Sequence, residues 1–222
     1  MFEGFACESE PQPKHVFVTS ESGAFRLIGT ACKAFHPRGS DEAGVADFFQ
    51  SYLHDQGKKL YLMSYVGNRL NVQFFNGGAV IYHKDDIVSF LKAWPNPNNL
   101  LKAVHEVHLA ELRALGIIDK LITGPFWRVF NAADSILDLN STLLTMKQSF
   151  ESWCDDASLL MEGEPLFQET QVHKDEIYDA LFKTTGDAKF DSLTQQALEM
   201  LMHGLLLILE KQAQDQLPGG KY

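Results

Sequence analysis

Two histidines and a glutamate on one predicted helix, His105, His108 and Glu111, stand at i, i+3 and i+6, close enough to share a face and hold a metal ion. The order is not His-Glu-x-x-His, in which histidines four apart bracket a glutamate base, so a solvated amphipathic face is the favoured reading and no metal is expected. Cys32 and His36 could also lie one turn apart, but no second pair completes a site. Asp85-Asp86 and Asp155-Asp156 are adjacent aspartate pairs. Two-metal chemistry on nucleic acid needs carboxylates converging from separate elements, and Asp85 and Asp86, just before an apolar-periodic stretch, read as a helix cap. Gly-x-Ser-x-Gly is absent, and Gly77-Gly78 and Gly219-Gly220-Lys221 lack phosphate-loop spacing. Nothing cationic flanks Cys154 to activate its thiol. No catalytic residue and no cofactor is predicted.

Charge is the second chemical feature. The 222 residues carry a net charge of -10, unevenly placed. From 151 to 222 there are fourteen acidic and five basic residues, a net of -9; from 57 to 128 there are nine basic and five acidic, a net of +4. The middle could therefore face a polyanion, although phosphate binding requires clustered Lys and Arg rather than a regional excess.

These residues must be positioned by helices. With 45% apolar residues and sixteen Phe the chain can bury a core, and three unevenly spaced cysteines give no disulfide framework and suit a reducing compartment. The start shows no basic segment followed by an apolar run, so no secretory signal is expected. The apolar stretch 197–209 contains Glu199 and His203 and is too short for a bilayer, so no membrane association is expected.

Residues 1–14 read as a loose arm before a short strand at His15 to Thr19. Helices are predicted over 24–35 and 41–54, the latter with Val45, Phe48, Phe49, Tyr52 and Leu53 on its inner side, followed by a strand or extended segment over 59–65. The next stretch has two readings. Asn76-Gly77-Gly78 is a hairpin signal, whereas Val72, Phe75, Ala79 and Tyr82 fall at helical spacing.

Further helices are predicted over 85–94, 98–115, 119–130, 132–160 and 174–183, and a last one over 192–214. The last opens on Ser192 and Gln195 at capping-box spacing, with Leu193, Ala197, Leu201, Leu205, Ile208 and Leu209 as its apolar face. Trp94, Trp127 and Trp153 read as core anchors. A soft boundary near Gly163-Glu164-Pro165 divides a mainly helical domain, 15–163, from an acidic helical segment, 164–222. The fold class is mainly α, a helical assembly with at most a few short strands.

Two dense segments carry a resemblance. Gly67-Asn68-Arg69-Leu70-Asn71 leading into Phe74-Phe75-Asn76-Gly77-Gly78-Ala79-Val80, and Arg113-Ala114-Leu115-Gly116 through Trp127-Arg128, resemble hAT-type (hobo/Activator/Tam3) transposase-like proteins of animal mobile elements. The text at 99–104, 193–199 and 212–222 looks like the same family, and matching spans much of the chain from about Ala31.

In such transposases an RNase H-like fold carries an Asp, Asp, Glu metal site and is interrupted by a large helical insertion before the final Glu. The resemblance places this chain around and inside that insertion, with the first aspartate expected upstream of Met1 and the final glutamate beyond Tyr222, and it favours helix over hairpin for 70–83. The chain departs from the family by appearing shortened between 103–106 and 113–116.

The resemblance therefore implies a noncatalytic, transposon-derived helical domain in the nucleus. Its basic middle, Lys58, Lys59, Arg69, Lys84, Lys102, Lys120 and Arg128, is expected to contact DNA or the remainder of a transposase. The rival expectation is a protein-interaction scaffold without nucleic-acid binding, and the remotest a hydrolase using His105, His108 and Glu111.

Overall fold

A computed structural model describes residues 22–37, 45–65, 70–93 and 105–220. The described residues form α1 (Gly23–Phe35), α2 (Val45–Asp55), α3 (Leu70–Ala93), α4 (Glu106–Ile118), α5 (Gly124–Ala132), α6 (Asn140–Asp155), α7 (Ser158–Met161), α8 (Glu176–Phe182) and α9 (Ala188–Gln212). A π-turn, Asp119–Thr123, joins α4 to α5, and a 3-10 turn, Ile136–Leu139, precedes α6. No strand occurs among the described residues, so the fold is mainly α. The arm 1–14, the strand expected at 15–19 and Trp94 lie outside them.

Local chemistry sets several helix starts. The Ser22 hydroxyl accepts from the Phe25 amide, Asp175 from Tyr178, and Asp187 from Lys189 and Phe190, each satisfying donors that a first turn leaves open. Ser135 and Asp138 form a reciprocal capping box that cuts the helix expected over 132–160, and a second break follows Asp155. The box expected at Ser192 and Gln195 does not exist, because α9 is capped five residues earlier, by Asp187. Its deepest ridge is Phe190, Thr194, Leu198 and Met202, an i+4 row, rather than the expected face, of which Ile208 is exposed.

The hairpin reading of 70–83 is overturned, and so is the cap reading of Asp85 and Asp86, which lie within the continuous α3. Its glycines serve a helix crossing instead of a turn. A Cβ on Gly116 of α4 would sit 2.7 Å from the Gly78 Cα and 2.8 Å from Leu181 Cδ2, and one on Gly77 would sit 3.0 Å from the Leu112 carbonyl oxygen. Bare backbone lets α3 and α4 approach this closely, with α8 laid across the crossing.

Around that pair, α1 packs against α2, α3 and α4, while α9 lies against α4 and α6. One apolar cluster runs from Ala24 through Phe49, Leu91, Ile117, Phe150 and Leu181 to Leu217, crossing the boundary expected near Gly163. Phe48, expected inside α2, is 59% exposed, and Trp127 is 42% exposed, whereas Trp153 is buried. No described helix is long and apolar enough to cross a membrane.

The segment Lys58 to Tyr65 is extended, but there is no sheet among the described residues for it to join. Side chains of α3 supply the missing partners: the Met63 amide donates to Asn76 Oδ1 at 2.8 Å, Asn76 Nδ2 donates to the Met63 carbonyl at 3.4 Å, and the Tyr61 amide donates to His83 Nε2 at 3.1 Å. Asn76 and His83 are seven residues apart, two helical turns on one face of α3, so both side chains serve the same run of backbone.

Candidate functional site

Of the seven basic residues expected to face DNA, Arg69 and Lys102 lie outside the described residues. Lys120 is turned inward, 7% exposed, with its ammonium 2.8 Å from Asp175 Oδ2. Lys58 binds Asp86 Oδ1 at 2.6 Å. Lys59 is exposed above the Tyr61 ring, Lys84 is half-buried near the Phe190 ring, and Arg128 is exposed on α5. The described candidates are therefore divided among an extended segment, α3, the π-turn and α5, and Lys120 is withdrawn into the interior.

Where that charge goes was not anticipated. Arg113, 5% exposed, donates through Nε to the Leu181 carbonyl at 2.7 Å and through Nη1 to Asp191 Oδ1 at 2.5 Å, with the Phe190 ring beneath it. Lys120 and Arg113 thus bind aspartates of the acidic third, and the Tyr61 hydroxyl donates to Glu176 at 2.6 Å. The opposite charges of the two regions meet within the molecule. Sequence held one sign of this for Arg113, its place in the run Leu112 to Leu115, where a guanidinium is buried only if paired.

A first polar cluster lies under the extended segment. His83 is fully buried, with Nδ1 3.6 Å from Asp86 Oδ2, and Asp86 is held from the other side by Lys58. Because Nε2 accepts the Tyr61 amide, the neutral ring carries its proton on Nδ1, toward Asp86. Burial pushes this imidazole down to about 4, against the pull of Asp86. The ring works as a fixed acceptor for backbone.

The second cluster surrounds the π-turn, and Pro125 explains the turn. Proline has no amide hydrogen and its ring clashes with the carbonyl four residues back, here Leu121. The helix widens, with the Gly124 amide donating to the Asp119 carbonyl five residues back. The Leu121 carbonyl, freed from the helix, accepts from the Leu166 amide at 3.0 Å and so fastens the loop after α7. Gly124 is needed here, since a Cβ would lie 2.9 Å from the Asp119 carbonyl oxygen.

Lys120 enters from the same turn to bind Asp175, which also accepts the Tyr178 amide at 2.9 Å and lies 3.2 Å from His173 Nδ1. Hydrogen bonds from Lys120 and the Tyr178 amide hold the Asp175 carboxyl below its usual range despite burial. The neighbouring Asp119 carboxyl is pushed up to about 6 by burial, offset in part by Lys120 and Arg128. Between α5 and the loop 163–174 this arrangement leaves a cleft of about 810 Å³, lined among others by Arg128, Gln168, Gln171, His173, Lys174 and Tyr178. Sequence reasoning reached Arg128 through its basic surroundings but not the loop residues, because only folding brings them opposite α5.

The remaining candidates have local roles. His105 caps α4 by accepting the Val107 amide, and His108 Nδ1 lies 3.4 Å from Glu111 Oε2. Among the described residues no group of three or more His, Cys, Asp or Glu side chains is placed to hold a metal. Cys32 is buried and its thiol is pushed up to about 12 by desolvation, which favours the unreactive protonated form. No protein-family model, no curated protein and no solved structure matches this chain.

Proposed function

We propose that the chain is a noncatalytic helical docking module of a transposase-like protein, acting through contact with protein rather than by general attraction to DNA. The hAT-like text at 67–80 and 113–128 motivates the origin. The observation that carries the mode of action is the inward use of positive charge: Lys120 and Arg113 bind Asp175 and Asp191, and Lys58 binds Asp86. Cations neutralised by carboxylates release few counterions from DNA, so the electrostatic drive for phosphate binding is small. Met200, 75% exposed, and Leu207 lie on one flank of α9 with Ile208 beside them, apolar surface of the kind that protein contacts cover.

Fluorescence anisotropy with a labelled DNA duplex at low salt tests this reading. The expected result is no binding in the micromolar range and no change on converting Lys58 and Lys59 to glutamate. Binding that falls steeply with salt and is abolished by those reversals would overturn the reading in favour of residual DNA contact. That second reading draws on Lys59, Lys84 and Arg128, which have no carboxylate in salt-bridge range among the described residues.

A further inference from the structure

We propose that the cleft between α5 and the loop 163–174 binds a small molecule through a phosphate monoester, gripped by Arg128 and Lys174. Neither Asp nor Glu is among the residues lining this cleft, although the chain as a whole carries a net charge of -10.

Several of the cations pair with carboxylates: Lys58 with Asp86, Arg113 with Asp191, Lys120 with Asp175, and Lys147 with Glu151 and Glu210. Arg128 and Lys174 do not. Arg128 feels the field of Asp119 without a hydrogen bond to it, and Lys174 rests over the Tyr178 ring at 5.4 Å. A guanidinium fork and an ammonium supply the planar and point-charge donors that phosphate oxygens accept, and two cations match the two charges of a monoester.

Neutral donors complete the lining. Tyr178 brings a phenol, and Gln168 and Gln171 bring amides. Pro165 and Val172 add apolar wall, and about 810 Å³ accommodates a body of mononucleotide size beyond the phosphate. The floor is rigid, since the loop is fixed to the π-turn by Leu166 on the Leu121 carbonyl and by Asp175 on Lys120.

The test is calorimetric titration of the whole chain at low salt with adenosine 5′-monophosphate, inorganic phosphate, adenosine, and a short oligonucleotide lacking terminal phosphate. The monophosphate and inorganic phosphate should bind. Arg128→Ala and Lys174→Ala should each weaken them about tenfold, the usual cost of one charged hydrogen bond, with the thermal midpoint unchanged because both side chains are exposed. Adenosine and the oligonucleotide should not bind. Silence from both phosphate probes, equal binding by adenosine or the oligonucleotide, or indifference to both substitutions would each overturn the assignment.

Discussion

At the scale of single residues, the buried imidazole of His83 makes a pH-dependent contribution to stability. In the unfolded chain it titrates near its ordinary 6.5, whereas in the fold it resists protonation until about 4. Below pH 6.5 the unfolded state takes up a proton that the folded state refuses. This contribution is therefore present above pH 6.5 and lost as pH falls toward 4, by at most roughly 3 kcal/mol. Asp119, raised to about 6, works in the opposite sense over part of that interval, so only a paired comparison isolates the histidine. Urea midpoints at pH 7 and 4.5 should fall more steeply for the native chain than for His83→Gln, whose amide oxygen can still accept the Tyr61 amide. Equal slopes would remove the role given to His83. None of this was legible beforehand: Asp86 looked like a helix cap and Lys58 like a phosphate contact, because their pairing spans 28 residues and depends on the extended segment lying against α3.

At the scale of elements, helix was legible wherever apolar spacing persisted, and junctions were not. Asn76-Gly77-Gly78 is chemically a turn, and only the opposing Gly116 reveals why glycine is present inside a helix. Gly116→Ala should lower stability by about 2 kcal/mol or more, because the new methyl meets backbone at 2.7 Å rather than a yielding side chain. Gly204→Ala should do the reverse, raising it by roughly 1 kcal/mol, since nothing lies within 4 Å of its Cβ position in the interior of α9. Chemical denaturation of the two variants checks both signs, and a tolerated Gly116→Ala would mean that α3 and α4 are not in such close contact. The π-turn was not legible. A single regular helix was expected over 119–130, running through Pro125, and only the structure shows that the proline widens its first turn.

At the scale of the whole molecule, the uneven charge visible in sequence is real, and its physical meaning is internal. Asp175 and Asp191 return to Lys120 and Arg113 across 55 and 78 residues, distances at which no spacing rule operates. Lys120→Met should therefore cost about 3 kcal/mol by leaving Asp175 buried without its cation, whereas Arg128→Met should change stability by no more than about 0.5 kcal/mol. Thermal and urea unfolding of the two variants distinguish interior from surface charge, and similar effects would contradict the division drawn between them. Of the candidate site, the sequence disclosed one wall, at Arg128, while the loop that faces it carried no motif.

The proline-widened turn also has a consequence in polymer terms. Leu166 and Asp175 are tied to Leu121 and Lys120, neighbours in the chain, so the residues between them form a ring closed on almost a single point. The entropy of such a ring grows only with the logarithm of its contour, about 0.6 kcal/mol for each doubling. Thr170 to His173, on its rim, can therefore lengthen or diversify at little thermodynamic cost while both ties hold. One missing hydrogen on Pro125 thus gives the molecule a site whose mouth is free to evolve over a floor that stays fixed.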